Sequence, residues 1–154
     1  MAGRGTSKRS TGILYSVGYE GRTADQLAEL LAMMRVDVLV DVRLTPLSRK
    51  PGLSKRKLAE LLEAHGIEYV HEPLLGNLRD NRDGFHNGHL KEAKERFAER
   101  LSNGSRDAFL ALVERARSEN VAMLCVEAEQ ERCHRQVIAE AAEAEAPRLV
   151  QIQL

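Results

Sequence analysis

Five side chains capable of chemistry crowd into eleven positions of this sequence: Cys125, Glu127, Cys133, His134 and Arg135. Both cysteines of the chain are among them. A thiol beside an imidazole and a guanidinium, at the start of a helix, is biased toward the nucleophilic thiolate. A carboxyl group buried at a strand end is biased toward its protonated form and can pass a proton. Cys133 is therefore the candidate nucleophile and Glu127 the candidate acid or base. Plainer readings stand beside these: Cys133 is spaced to stack on Val137 and Ala141 as a small core residue, and Cys125 lies in an apolar run where a structural role is expected.

The flanking pattern dictates how these groups must be delivered. Val121 to Leu124 is apolar and leads in; Val137 to Ala144 is a good helix former and leads out. A buried strand then carries Cys125 and Glu127 to its carboxyl end, and the next helix presents Cys133, His134 and Arg135 in or near its first turn. Open α/β sheets hold ligands at that place, and the helix dipole there favours anions and thiolates.

The rest of the chain repeats this arrangement. Ile13 to Gly18 reads as a first strand, and Thr23 with Gln26 as a capping box opening a helix to about Met34. Val36 to Arg43 is β-branched and apolar enough for a central parallel strand. Ser54 caps a helix that Gly66 stops, with Leu58, Leu61 and Leu62 on one face. Ile67 to His71 alternates as a strand. Pro73 to Gly88, with three glycines and two aspartates, reads as a long loop of the kind from which functional lids are drawn. Helices near 89–101 and 105–118, a strand over 121–127, a helix and a last strand over 148–154 complete the order βαβαβααβαβ. That alternation implies a single three-layer α/β domain over residues 13–154, with a mostly parallel sheet of about five strands and helices on both faces. Residues 1–12 read as a disordered polar tail.

In such a sheet every strand ends at one rim. Gly18, Tyr19 and Glu20, then Asp41 and Arg43, then His71 and Glu72, then Cys125 and Glu127 share that address. Asp41 and His71 are candidates for orienting or proton-transfer roles. Arg43 and Arg135 fit an anion clamp, because guanidinium forks match phosphate and carboxylate; His134, Arg49, Arg79 and Tyr19 are candidate helpers, and Arg82 lies beside Arg79 in the later loop. The plainer alternative is a structural ion pair of Asp41 or Glu127 with an arginine.

At these residues the chain resembles a known family. Tyr19-Glu20-Gly21-Arg22, Asp41-Val42-Arg43-Leu44-Thr45-Pro46-Leu47-Ser48, Pro51-Gly52-Leu53-Ser54 and Cys125-Val126-Glu127 through Cys133-His134-Arg135, in this order, are similar to the bacterial and archaeal domain-of-unknown-function family 488. The resemblance runs from about Leu14 to Gln153. Leu75-Gly76 followed by Arg79 also resembles the family's Leu-Gly-Gly…Arg loop, with Asn77 where a second glycine is usual. The resemblance implies a cytosolic α/β domain with these motifs clustered, and no particular reaction.

Composition narrows the partners. The chain has 154 residues, 43% hydrophobic and 30% charged, with 23 basic and 23 acidic side chains, so global charge gives no argument for nucleic acid. No apolar run approaches a membrane span and no secretory segment is present, so a cytoplasmic location and no membrane partner are expected. Two cysteines do not make a disulfide framework. The expected function is a small enzyme acting on an anionic, phosphate-bearing small molecule at the carboxyl rim. The cofactor is left open, and no residue is assigned to a metal, since the cysteines lie eight apart and lack the short zinc-knuckle spacing. One alternative is a thiol redox or metal-responsive module of Cys125, Cys133 and His134. Another is a nucleic-acid-binding module using the basic stretch Val42 to Lys57, which has six basic residues and no acidic one.

Overall fold

The computed structural model describes residues 12–154. Of the polar opening stretch, residues 1–11 lie outside the described residues; Gly12 is buried, and its N–H donates to the Arg117 carbonyl at 2.8 Å. The elements run β1 (Ile13–Gly18), α1 (Ala24–Met33), β2 (Val38–Asp41), α2 (Lys55–Ala64), β3 (Glu68–His71), α3 (Arg79–Arg82), α4 (Leu90–Ser102), α5 (Arg106–Ala116), β4 (Asn120–Cys125), α6 (Arg135–Glu145) and β5 (Val150–Gln153). The strands form one parallel sheet in the order β3-β2-β4-β1-β5. The architecture is the α/β sandwich that the alternation of elements predicts.

Strand parity divides the core into two layers. On β4, Val121, Met123 and Cys125 face one way and pack with Phe97 and Leu101 of α4, Phe109 and Leu112 of α5, and Val137 and Ile138 of α6. Ala122 and Leu124 face the other way, against Leu27 and Leu31 of α1 and Leu58 and Leu62 of α2. With both faces covered, every residue of β2 and β4 is buried, which is why these strands read as continuous apolar runs.

Local details follow the sequence at some points and depart from it at others. Thr23 and Gln26 form the capping box of α1. Ser54 occupies the N-cap position of α2, but its hydroxyl accepts from Ser48 N–H and donates to Ser48 O instead of capping the helix. β4 ends at Cys125, short of Glu127, because the chain leaves the sheet there and Glu20 N–H takes up the Val126 carbonyl at 2.9 Å. The segment 73–88 is not an open loop. It holds two 3₁₀ turns and α3, with Leu75, Asn77, Asn81 and Phe85 buried. The Asn81 amide donates to Asn77 Oδ1 at 3.0 Å and to the Ala93 carbonyl at 2.9 Å, which pins the segment to α4. Among the described residues, no helix is long and apolar enough to cross a membrane.

Candidate functional site

β4 and α6 deliver their reactive groups as the apolar pattern requires. Cys125 ends the buried strand, and a single 3₁₀ turn (Gln130–Arg132) returns the chain so that Cys133 and His134 immediately precede α6. The Cys125 and Cys133 sulfurs and a ring nitrogen of His134 all lie within 4.8 Å of one another, and all three residues are buried. Arg135 Nε donates to Cys133 Sγ at 3.3 Å, and His134 Nδ1 lies 3.6 Å from the same sulfur. His134 Nε2 is 2.9 Å from the Val42 carbonyl. A carbonyl only accepts, so Nε2 carries a proton and Nδ1 is the nitrogen that faces the sulfur. The ring is held edge-on against Phe97, centroids 5.0 Å apart.

The electrostatics follow from this packing. Burial alone would push the Cys133 thiol up, but the hydrogen bond from Cys125 and the charges of His134 and Arg135 together hold it well below its ordinary value. Cys125 shifts the opposite way, raised first by its hydrogen bond to Cys133 and then by burial. Burial would lower His134, yet the facing Cys133 sulfur raises it. Glu127 is raised by burial and by its closeness to Cys133, opposed by His86. A sulfur biased toward the thiolate, a sulfur biased toward the thiol and a carboxyl biased toward its acid form therefore meet at the rim.

Asp41, Arg43, His71 and Tyr19 form a second group on the α1/α2 side. The Arg43 guanidinium grips Asp41 through Nε at 2.8 Å and Nη2 at 2.6 Å, and gives Nη1 to the Leu53 carbonyl at 2.7 Å. Tyr69 donates to Asp41 Oδ2 at 2.5 Å. Arg43 also lies over the Tyr19 ring at 5.4 Å. His71 Nε2 is 2.9 Å from the Arg43 carbonyl. Asp41 is fully buried, so the ion-pair alternative raised from the sequence is the arrangement observed for these two.

Arg135 is occupied in the same way. Besides Cys133, its guanidinium donates to Ser16 Oγ at 3.0 Å and to the Glu127 carbonyl. The two arginines expected to clamp an anion thus have their donors directed at protein acceptors. Arg49 and Arg79 are exposed.

The open space at the rim lies over the thiol pair. A cavity of about 130 Å³ is lined by Cys125, Cys133, His134, Glu127, Val126, Arg43, Leu44, Thr45, Leu47, Asn77, Phe85, Arg82, His86 and Arg132. Arg82, His86 and Arg132 are exposed, and His86 Nε2 is 3.4 Å from Glu127 Oε2. Arg132 and His86 escaped the sequence reading. Arg132 adjoins Cys133 and was within reach of it; nothing in the sequence pairs His86 with Glu127.

The comparisons with known proteins bear on this arrangement. A family model described as Domain of unknown function DUF488 matches residues 23–142. The chain belongs to that family. The DUF488 match takes in residues 41–54 and 125–135, which carry both rim clusters, and starts just past Tyr19-Glu20-Gly21-Arg22. No curated protein and no solved structure matches this DUF488 chain.

Proposed function

We propose that this protein is a thiol-dependent enzyme that acts on a small anionic, phosphate-bearing substrate in the rim cavity, with Cys133 as nucleophile. The observation that carries the reading is the environment of one sulfur: Cys133 Sγ takes a hydrogen bond from Arg135 Nε at 3.3 Å, faces His134 Nδ1 at 3.6 Å and borders a cavity. Two cationic donors on one buried sulfur favour its anionic form and fix its direction of attack. Arg82 and Arg132 at the cavity supply the positive charge that an anion needs, and His86 lies beside them.

In the proposed step the Cys133 sulfur attacks phosphorus. The S–P bond forms as the bond to the leaving oxygen breaks, and Glu127 gives that oxygen its proton. Water then attacks phosphorus, returns a proton to Glu127 and releases the thiolate and phosphate. Asp41 and Arg43 act as positioning residues, since their bonds hold the 41–53 segment that walls the cavity. The two free thiols suit a reducing cytosolic setting.

The test compares two alkylating reagents on the reduced protein, anionic iodoacetate and neutral iodoacetamide. Cys133 is expected to favour iodoacetate over iodoacetamide relative to free glutathione. Inorganic phosphate is expected to protect Cys133, and Arg132→Ala to lower the preference. A rate ratio equal to that of glutathione, with no protection by phosphate, rejects an anion-receiving nucleophile.

The closeness of the two sulfurs favours a second reading, a redox couple in which peroxide oxidises Cys133 to the sulfenic acid and Cys125 displaces water to form the disulfide. Loss of two hydrogens from the intact protein mass on peroxide treatment would support it.

A further inference from the structure

We infer that Cys125, Cys133 and His134 form a binding site for a thiophilic divalent metal ion of the zinc class, with two sulfurs and Nδ1 as ligands and the fourth position open to the cavity. The inference stands apart from the nucleophile reading, because it uses the positions of three atoms and not the reactivity of any of them.

The first argument is the length of one edge. A tetrahedral ion bound by sulfur and by imidazole nitrogen at ordinary bond lengths sets those two atoms about 3.6 Å apart. Cys133 Sγ and His134 Nδ1 are 3.6 Å apart. Two sulfurs on one such ion are about 3.8 Å apart, and all three donor atoms here lie within 4.8 Å of one another. Closing the set therefore takes a movement of no more than about 1.2 Å, within reach of a small rotation about the Cys125 side chain.

The second argument is the outer shell. A metal-binding imidazole normally gives its other N–H to a carbonyl or carboxylate, which fixes both tautomer and ring plane. His134 Nε2 is 2.9 Å from the Val42 carbonyl, so Nδ1 is the nitrogen that faces the sulfurs, and it offers its lone pair once an arriving ion displaces any proton there. The Arg135 Nε–H on Cys133 Sγ at 3.3 Å is the kind of outer bond that steadies a thiolate ligand.

The third argument is charge and access. Two thiolates, a neutral imidazole and a divalent ion sum to zero, which suits three residues that are all buried. All three also border the rim cavity, together with Glu127. A set of two cysteines and one histidine with an open side is the pattern of a reactive zinc site, not of a closed structural one. An ion held here engages the Cys133 lone pairs, so metal occupancy and attack by that sulfur exclude each other.

Cobalt(II) is the probe, added to the reduced, metal-free full chain. The expected result is one cobalt per chain, with the intense visible bands of a tetrahedral ion and a near-ultraviolet sulfur-to-cobalt charge-transfer band, both bleached by zinc. Cys125→Ser is expected to reduce the charge-transfer band to about half, since one of two sulfurs remains, and His134→Gln to weaken binding about tenfold or more while keeping that band. Circular dichroism checks that each variant is folded. A weak octahedral spectrum without charge transfer in the wild-type chain overturns the assignment with no variant needed, and so does a spectrum unchanged in folded Cys125→Ser. Neither outcome alters the iodoacetate preference, so the two readings fail separately.

Discussion

Gly18 and Glu127 meet because one of them has no side chain: a Cβ on Gly18 would stand 1.8 Å from the Glu127 carbonyl oxygen. Arg135 donates to that same oxygen. The loop carrying the Glu127 carboxyl is thus seated between the end of β1 and the first residue of α6, and Ala128 N–H donating to Glu20 Oε1 at 3.0 Å closes it further. The obstacle to a side chain at position 18 is backbone, which cannot swing aside. Gly18→Ala is expected to cost about 2–3 kcal/mol, read as a lower urea midpoint, and to diminish the iodoacetate preference of Cys133. A variant with wild-type midpoint and selectivity would falsify the seating of this loop.

Arg135→Lys keeps the charge but loses the planar fork. Three acceptors, Cys133 Sγ, Ser16 Oγ and the Glu127 carbonyl, now share one arginine, and one ammonium on a flexible stem does not match their directions. The expected cost is about 2–3 kcal/mol from buried acceptors left without partners, with slower alkylation of Cys133. Stability equal to wild type would mean that the fork is dispensable.

The Asp41 cluster predicts an ordered pair of effects. Asp41→Asn leaves the Arg43 guanidinium buried without its counter-charge and is expected to cost about 3–5 kcal/mol. Tyr69→Phe removes one hydrogen bond and is expected to cost about 1 kcal/mol. Chemical denaturation that ranks the two in reverse order would show that Tyr69, not Arg43, is the main partner of Asp41.

Tyr69 also sets a pH dependence. Burial and the bond to Asp41 push its phenol up in the folded chain, while an unfolded tyrosine loses its proton near pH 10. Between those two values the folded state holds a proton that the unfolded state has lost. The Tyr69 contribution is therefore complete below about pH 10 and shrinks as the pH rises further. Denaturation midpoints measured from pH 8 upward should fall less steeply in Tyr69→Phe than in wild type.

Lys55, Arg56 and Lys57 open α2 with positive charge and no acid in the first turn. That is the end at which the helix dipole disfavours cations. Lys55→Glu is expected to stabilise the protein by about 0.5 kcal/mol, seen as a rise in Tm that fades with added salt. A fall in Tm would point to an interaction of Lys55 that outweighs the dipole.

The thiol cluster was legible in the sequence because the signals were local. An apolar run ending at Cys125 and a helix former after Arg135 leave a short return between them, which allows the two sulfurs to meet without demanding it. The cytosolic enzyme reading drew the rim as one site, and here the sequence was less informative. Asp41 and Cys125 both end buried strands, but they face opposite layers of the sheet, and one residue of register decides the face. Strand order, which sets who neighbours whom, is written in no local pattern. The arginines show the same limit: Arg43 and Arg135 carry the right chemistry for an anion, and only the positions of Asp41, Leu53, Cys133, Ser16 and Glu127 reveal that three donors of each are directed at protein acceptors. Arg82, His86 and Arg132, which border the cavity instead, are unremarkable in composition and acquire meaning from place.

The strand order has a further consequence in time. β1 and β2 are not partners; β4 lies between them and bonds to both. When this chain is made from its amino end, β1 and β2 exist long before the strand that joins them. Until residue 125 has left the ribosome, two apolar strands have edges with nothing to pair against. Closure of the sheet then awaits contacts between segments a hundred residues apart in sequence, such as Gly18 with Cys125, and chains dominated by such contacts fold slowly. The same insertion that joins β1 to β2 brings Cys125 to the rim, so the reactive sulfurs come together only once the centre of the sheet is joined and the edge strand β5 alone remains to add.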